Sequence, residues 1–477
     1  MKITQNQNRK TRIDILPFSK GKIDTSSIQK LSGILSEVPF EGDFKEVKVL
    51  HHSSENRMVY LIGLGEEKHE ARIYLVARSL AHNHHKEWKE GVNLECGHLE
   101  SQTVEQLIIG FKLATYQIGR FKQAKEVPAF FNVDFIVNLV SDNDLSAVIE
   151  SGTAKAEAMM QVMKLVDAPP NEKIPEYLGN WAKASAKKYG YEADILDAEA
   201  LKKEGLEALL SVGQGSKYPP VLIKTEYRPK GNKSTSPKLG LVGKGITFDT
   251  GGLSIKGSQN LHYMKSDMGG GAAVLGAVEL AARLQLDIHI VGLVACAENA
   301  VDANSYRPGD VIDSYSGKTI EIIDTDAEGR LALADALTYM QKNYAPEFII
   351  DLATLTGSSV MTLGYSAGAL FSNNDKLAEV ISESGYQVDE RVWRLPLFED
   401  FEKDLESDLA DVRNFSGKPV AGAITAAKFL QYFVNDQVKW AHLDIAGVAF
   451  GDSEFSKMKS AKGYGPRLLI EIMEKLK

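Results

Sequence analysis

A short segment with three carboxylates and one arginine has the residue types of a metal site. It consists of Asp324, Thr325, Asp326, Ala327, Glu328, Gly329 and Arg330. The isoleucine-rich run 319–323 before it predicts a strand, and the Ala/Leu-rich run after it predicts a helix. Ligands bind at such strand-to-helix loops in open α/β sheets, and hard divalent cations favour carboxylate oxygens. A plain helix start, with acids near the positive end of the helix dipole, is the alternative interpretation.

Two other segments place charged residues next to glycines. The apolar run 241–243 predicts a strand end, and a Gly-rich loop with Lys244, Asp249 and Lys256 follows it. Asp267 lies just before a predicted helix and has three glycines behind it. At least four carboxylates would then meet in one crevice, where bound metal ions would offset their repulsion.

The possible metal ligands in these segments indicate hydrolysis assisted by metal ions. No histidine lies in these segments, so the site suits manganese or zinc, with magnesium and cobalt also fitting. Two ions clamped about 3.5–4 Å apart would activate a water and polarise a carbonyl. Lys256 and Arg330 would then stabilise the charge that develops on a tetrahedral intermediate.

Composition narrows the class of protein. The 477 residues are 44% hydrophobic and 25% charged, which is typical of a globular chain with two or three domains. A net charge of −9 argues against nucleic acid as the main partner. The two cysteines provide no disulfide framework, and neither a secretory signal nor a membrane-spanning run is present. We therefore expect a cytoplasmic protein that does not bind membranes.

The pattern of apolar runs predicts an α/β fold. A small N-terminal α/β domain, residues 1–160, is followed by a larger three-layer α/β/α domain with a central mixed sheet, residues 161–477. A long helical pattern over about 145–165, stopped by Pro169 and Pro170, marks the boundary. Predicted strands are 12–17, 44–50, 58–62, 135–140, 221–226, 239–243, 288–295, 319–323, 348–352, 369–372 and 440–445. Predicted helices include 26–35, 67–81, 104–118, 271–284, 331–343 and 421–433.

A second group of possible metal ligands lies in the first region. It comprises His82, His84, His85, Cys96 and His98. Their spacings match no paired zinc pattern, and the segment is very polar. We interpret this segment as a solvated loop.

Segments 242–256, 264–270 and 324–331 together resemble the leucine (cytosol) aminopeptidases, which are dinuclear metallo-exopeptidases. The resemblance covers nearly the whole second region and includes 211–216, 353–357, 422–427 and 440–447. The first region resembles that family's N-terminal domain in layout alone, and we expect it to serve assembly.

The resemblance implies a ligand set of Lys244, Asp249, Asp267, Asp326 and Glu328. Asp249 and Glu328 would touch both ions. Lys244 would bind as a neutral amine, although a free lysine has a pKa near ~10.4 and must lose its proton to do so.

The resemblance also implies roles for two cations. Lys256 would polarise the scissile carbonyl, and Arg330 would hold a bicarbonate or an equivalent anion that acts as general base. The α-amine of the peptide would bind one ion, which would restrict cleavage to a free N-terminus. A homohexamer is the implied assembly.

Four residues resemble the lining of a pocket for the N-terminal side chain. They are Met264, Thr354, Leu355 and Gly357. A methionine there would give an adaptable apolar wall and a broad preference. For Met264, an ordinary core position is an equally good interpretation.

Two departures from the family are evident. Asp324 occupies a position where asparagine is usual, and residues 462–467 differ from the usual stretch before the last helix.

The predicted activity is release of leucine and other apolar residues from peptide N-termini. Another dinuclear hydrolase, such as a phosphoesterase, and a DNA-binding family member are the alternatives.

Overall fold

The computed structural model describes residues 1–9, 11–34, 38–52, 55–119, 121–123, 127–231 and 237–477. The chain divides into two compact units, Met1–Met160 and Gln161–Lys477. None of the described helices is long and apolar enough to cross a membrane.

The first unit is built on a six-stranded sheet with the order β1-β6-β5-β2-β4-β3. The strands are parallel except β3, which runs antiparallel to β4 at the edge. The strands are β1 Lys2–Gln5, β2 Ile13–Ser19, β3 Val47–His52, β4 Arg57–Gly65, β5 Val92–Glu95 and β6 Ile136–Val140. The helices are α1 Thr25–Ser32, α2 Ile73–His84, α3 Ser101–Ala114 and α4 Ser146–Asp167, which continues past residue 160. Short 3-10 helices cover Glu67–Arg72, His85–Glu87 and Ala129–Phe131.

Two predictions for the first unit need correction. The solvated loop proposed for the His/Cys segment is wrong, because His82 and His84 end α2, and β5 and the buried Cys96 follow. The helix predicted over 26–35 ends at Ser32, where Gly33 adopts a left-handed conformation (φ 67°) that caps it. Leu35 lies outside the described residues.

The second unit is built on an eight-stranded mixed sheet with the order β15-β14-β17-β13-β9-β10-β8-β7. Its strands are β7 Glu192–Leu196, β8 Val221–Tyr227, β9 Leu239–Asp249, β10 Ile290–Asn299, β13 Phe348–Ala353, β14 Gly368–Ser372, β15 Val392–Arg394 and β17 Lys439–Asp444. Two small sheets contain β11 Val311–Asp313, β12 Thr319–Glu321 and β16 Val412–Arg413, and β18 Phe450–Gly451 with β19 Ser460–Ala461.

Helices of several lengths connect these strands. They are α5 Pro175–Tyr189, α6 Ala198–Glu204, α7 Glu207–Gly213, α8 Gly269–Leu284, α9 Gly329–Asn343, α10 Gly357–Leu363, α11 Asp375–Gln387, α12 Gly422–Gln431 and α13 Pro466–Leu476. Two 3-10 helices cover Leu261–Ser266 and Glu399–Leu405.

The main sheet is covered on both faces, which explains its nearly continuous apolar strands. On one face, Val242 of β9 shares a core cluster with Leu337 of α9. On the other face, Gly271 of α8 lies directly against Gly243 of β9 and Val294 of β10. The α/β class and the three-layer arrangement around a mixed sheet are thus confirmed.

Two strands differ from their predictions in extent or pairing, and both differences affect the site. The run 319–323 forms only the three-residue strand β12, which pairs with β11 and β16 in a small sheet and not in the main one. Strand β9 continues from the predicted end at residue 243 to Asp249. Lys244 and Asp249 therefore project from a strand and not from a loop.

The divergent residues 462–467 lead into α13 through a buried capping contact. The carboxylate of Glu390 accepts hydrogen bonds from the main-chain N–H groups of Gly465 (2.9 Å) and Leu468 (3.0 Å). The Nε atom of Arg467 lies 3.4 Å from the same carboxylate. A carboxylate at a helix N-terminus meets free N–H groups and the positive end of the dipole, so this start of α13 is stabilised.

Candidate metal centre and active site

Lys244 lies at the centre of a cluster of buried charges. Its side chain is 3% exposed, and its Nζ atom lies 2.8 Å from Oδ2 of Asp267 and 2.8 Å from Oε1 of Glu328. The same Nζ donates to the main-chain oxygen of Thr354 at 3.2 Å. Three segments that are distant in the sequence therefore meet around one amine.

The start of α9 directs Glu328 to this amine. Glu328 occupies the N-cap position, yet its side chain makes no capping hydrogen bond within the described chain. Gly329 follows, and a Cβ atom there would lie 2.4 Å from Cε of Lys244. The alternative interpretation of Glu328, a carboxylate that stabilises the helix start, does not account for this geometry.

Lys256 joins the other half of the cluster. Its Nζ atom lies 2.8 Å from Oδ2 of Asp249 and forms a closer ion pair with Oδ1 of Asp326. Asp249 is fully buried, whereas the side chain of Asp326 is 34% exposed and marks the open side of the centre. One carboxylate oxygen each from Asp249, Asp326 and Glu328 lies within 4.8 Å of the others.

The acidic side chains of this cluster fit divalent metal ions. Oδ2 of Asp267 and Oε1 of Glu328 pair with Nζ of Lys244, and Oδ1 of Asp326 pairs with Nζ of Lys256, but none of the three accepts a well-directed hydrogen bond from the residues that the structure describes. With Asp249, four carboxylates surround two ammonium groups, and bound cations would offset the excess of negative charge. Carboxylate oxygens with one amine form a donor set for manganese, zinc, magnesium or cobalt.

The protonation of the cluster follows from its burial and its charges. Burial alone would lower the pKa values of the Lys244 and Lys256 ammonium groups, but the surrounding carboxylates outweigh it and raise them. Burial, followed by the charges of Asp249 and Glu328, raises the pKa of Asp326 to about 7. Both lysines are therefore protonated at neutral pH in the metal-free chain.

The pKa values of the other three carboxylates shift in opposite directions. Burial raises the pKa of Asp249 and raises that of Asp267 well above its ordinary value. Burial also works against the charge on Glu328, but Lys244 and Lys256 outweigh it and lower the pKa of this group. Glu328 is thus the carboxylate that stays ionised most readily.

Arg330 is a buried cation in the first turn of α9. Its Nη1 donates to the main-chain oxygen of Asn414 at 2.8 Å, and its buried Nε has no hydrogen-bond partner in the described part of the chain. Burial lowers the pKa of Arg330 to about 10, so the group remains charged at neutral pH. A buried guanidinium with a free N–H donor can hold an anion.

Two of the four residues predicted to line a substrate pocket, Thr354 and Met264, contact Asp267 of the acidic cluster. Thr354 donates from Oγ1 to Oδ1 of Asp267 at 2.9 Å, and the main-chain N–H of Leu355 donates to the buried Asp444 at 3.1 Å. Met264 is half-buried on the 3-10 helix Leu261–Ser266, and its main-chain oxygen accepts from the N–H of Asp267. Gly357 is exposed at the start of α10.

Asp324 makes a local contact and not a contact with the lysines. Its Oδ1 accepts the main-chain N–H of Asp326 at 2.9 Å. An asparagine side chain has an equivalent oxygen, so the same turn is available to it. Asp324 thus differs from the family's usual asparagine chiefly by its negative charge.

Sequence reasoning missed three neutral residues that support the centre. Asn299 donates to Asp249, Asn414 holds the main chain at 323–327, and Thr325 donates to the main-chain oxygen of Gly251. None carries a charge or a spacing that would distinguish it from an ordinary polar residue in the sequence.

Comparison with known proteins places both parts of the chain in one family. Residues 161–470 match the catalytic domain of the cytosol aminopeptidase family, and residues 14–125 match its N-terminal domain. The "Probable cytosol aminopeptidase" of Chlorobium phaeobacteroides is 37% identical over 505 residues, which cover 99% of each chain. That of Rickettsia felis is also 37% identical and covers 95% of this chain and 94% of its own.

Two solved structures are similar to this chain over nearly all of its length. The bottromycin maturation enzyme BotP in complex with Mn has a TM-score of 0.83 and 29% identity, covering 98% of this chain and 99% of its own. The cytosol aminopeptidase from Coxiella burnetii has a TM-score of 0.82 and 30% identity, covering 99% of each chain. The chain therefore belongs to the cytosol aminopeptidase family of metal-dependent aminopeptidases.

Proposed function

We propose that this chain releases N-terminal residues, leucine and other apolar ones, from peptides with a free α-amine, using two divalent ions. The observation that carries the proposal is the juxtaposition of Asp249, Asp326 and Glu328, each with an oxygen within 4.8 Å of the others, beside two lysines. Lys244 and Asp267 complete the proposed ligand set.

The bound ions would supply Lewis acidity toward a carbonyl and lower the pKa of water. Lys256 is suited to act on the substrate, because its side chain is 24% exposed and reaches the open side of the cluster at Asp326. We assign it the role of donor to the scissile carbonyl oxygen, where negative charge develops.

Arg330 is assigned the role of holding a bicarbonate or an equivalent anion that accepts a proton. Its buried Nε is a donor that no described residue uses. Its position in the first turn of α9 adds the positive end of a helix dipole, which favours an anion. The anion's lone pairs, and not a protein side chain, would then serve as the base.

The pocket for the N-terminal side chain is assigned to Met264, Thr354, Leu355 and Gly357. Thr354 supports this placement, because it contacts a proposed ligand, Asp267. An α-amine held at the ions would leave the adjacent side chain next to these residues. The metal in the cell is proposed to be manganese or zinc, and the assembly a homohexamer in the cytoplasm, as the family resemblance implies.

The test compares leucine p-nitroanilide with its N-acetylated form. Metal-stripped protein receives manganese, zinc, magnesium or cobalt in parallel, and release of nitroaniline is followed. We expect cleavage of the free-amine substrate alone, and only after metal is added. Equal cleavage of both substrates, or turnover of a phosphodiester such as bis(p-nitrophenyl) phosphate in place of both, would contradict the proposal.

A further inference from the structure

Asn299, the last residue of β10, links two of the acidic segments. Its Nδ2 donates to Oδ1 of Asp249 at 2.8 Å and to the main-chain oxygen of Thr325 at 3.0 Å. Thr325 directly precedes Asp326 in the chain. One fully buried side chain thus connects the strand that carries Asp249 to the loop that carries Asp326.

The partners of this amide fix its orientation. A carboxylate and a carbonyl only accept hydrogen bonds, and an amide nitrogen has two hydrogens, so both are used. The Oδ1 atom of Asn299 faces Gly252 and accepts no hydrogen bond from any residue that the structure describes. A Cβ at Gly252, whose φ is +63°, would lie 3.0 Å from this oxygen. A side chain at residue 252 would therefore crowd the amide.

The main chain of Asn299 also contacts the end of β9, through Thr250. Its carbonyl oxygen accepts from the main-chain N–H of Thr250 at 2.9 Å and from the Thr250 hydroxyl at 2.8 Å. The pairing of β10 with β9 shifts register between Ala297 and Asn299, so that Asn299 lies opposite Asp249. Such irregularities re-aim a side chain, and here the side chain meets a carboxylate.

These contacts leave the two oxygens of Asp249 in different surroundings. Oδ1 accepts from Asn299 and from the main-chain N–H of Gly251 at 2.9 Å. Oδ2 lies on the side of Lys256 and of the acidic cluster. Without the amide, the carboxylate would rotate more freely and the 325–326 loop would lose one of its attachments to the strand.

We infer that Asn299 is a positioning residue that fixes Asp249 and the Asp326 loop for metal binding. The inference rests on the proposed function, because it concerns the ions that this activity would use. Partners behind the ligands of a metal orient those ligands, and their loss typically lowers metal affinity by about 10–100-fold.

The test replaces Asn299 by leucine, which has a similar size but no donor. A matched control is Asn138→Leu on β6, because Asn138 is also fully buried and donates from Nδ2 to main-chain oxygens. The Mn²⁺ affinity of each metal-stripped, folded variant is measured from the EPR signal of free Mn²⁺. The visible absorption of the Co²⁺ form reports the geometry of the ligands.

We expect Asn299→Leu to raise the Kd for Mn²⁺ by about 10–100-fold and to change the Co²⁺ spectrum. Asn138→Leu should lower the unfolding temperature but leave both metal readouts as in the wild type. If Asn299→Leu does not fold, the smaller Asn299→Ala, which also lacks a donor, carries the same expectation. A folded Asn299 variant with the Mn²⁺ affinity and Co²⁺ spectrum of the wild type would overturn the inference.

This experiment separates the inference from the proposed function. A wild type that binds Mn²⁺ but cleaves no peptide would contradict the proposed function, while weaker metal binding by Asn299→Leu would still support the positioning role. A wild type that cleaves peptides, together with an unaffected variant, would contradict the positioning role alone.

Discussion

Loading the centre with metal should release protons, and the release should make the affinity depend strongly on pH. In the metal-free chain Lys244 is a protonated amine whose pKa its carboxylate neighbours raise. An ammonium group has no lone pair, so this proton must leave before Lys244 binds an ion. Asp326, whose pKa is raised to about 7, must lose its proton as well.

The size of the effect follows from these two groups. Lys244 contributes about one proton throughout neutral pH, and Asp326 contributes about half a proton at pH 7 and about a tenth at pH 8. The raised pKa values of Asp249 and Asp267 add to the release. Since the slope of log affinity against pH equals the number of protons released, affinity should fall at least roughly tenfold from pH 8 to pH 7.

Calorimetry of Mn²⁺ binding in buffers with different ionisation enthalpies measures the release directly. Lys244→Met should lower the release by at most about one proton, because it removes the amine but also raises the pKa values of Glu328 and Asp267. The exposed Lys238, which pairs with Glu347, provides the control: Lys238→Met should keep the wild-type count. A wild type that releases no proton would refute the role of Lys244 as a neutral ligand.

The remaining predictions concern turnover, metal content and stability. Lys256→Ala should keep its metal but lose about 10²–10³-fold in turnover, the usual cost of one transition-state donor, and equal loss of metal would show that its role is different. Glu328→Ala should lose metal and activity together, which elemental analysis checks; a fully metallated, active variant would remove Glu328 from the ligand set. Asp351→Ala should lower the free energy of unfolding by about 2–4 kcal/mol in denaturant titrations, because buried donors of Trp440 and His442 lose their acceptor. An unchanged unfolding midpoint would contradict that account.

The acidic segments of the proposed centre were predictable because their carboxylates follow predicted strands or precede predicted helices. Asp249, Asp326 and Glu328 stand at the ends of apolar runs, and the structure brings these three together. Their number also mattered, since four carboxylates near one another call for a cation.

The supporting residues were not predictable from the sequence for a physical reason. The contact of Asn299 with Asp249 depends on the register shift between β10 and β9. The contact of Asn414 with Arg330 joins residues that are 84 positions apart. Register and long-range contacts are tertiary properties, and a single neutral residue carries no local pattern that reports them.

The long buried strands of the main sheet were predictable, whereas several short strands were not. Strands β9, β10 and β13 are almost wholly buried, and their apolar runs predicted them. Sequence reasoning missed the partly exposed edge strands β1 and β7, and it also missed the buried central strand β5, whose short run lies in the segment interpreted as a loop. The run 319–323 carries isoleucines because Ile320 and Ile322 pack in the core, although its strand belongs to a small sheet and not to the main one.

The central claim, a peptidase centre with two ions held by these residues, is tested most directly by titrating metal-stripped protein with Mn²⁺. Ions bound per chain and the rate of leucine p-nitroanilide cleavage are measured on the same samples. The account predicts two ions per chain, with full activity reached only when both are bound. Full activity without bound metal, or a chain saturated at one ion, would contradict it.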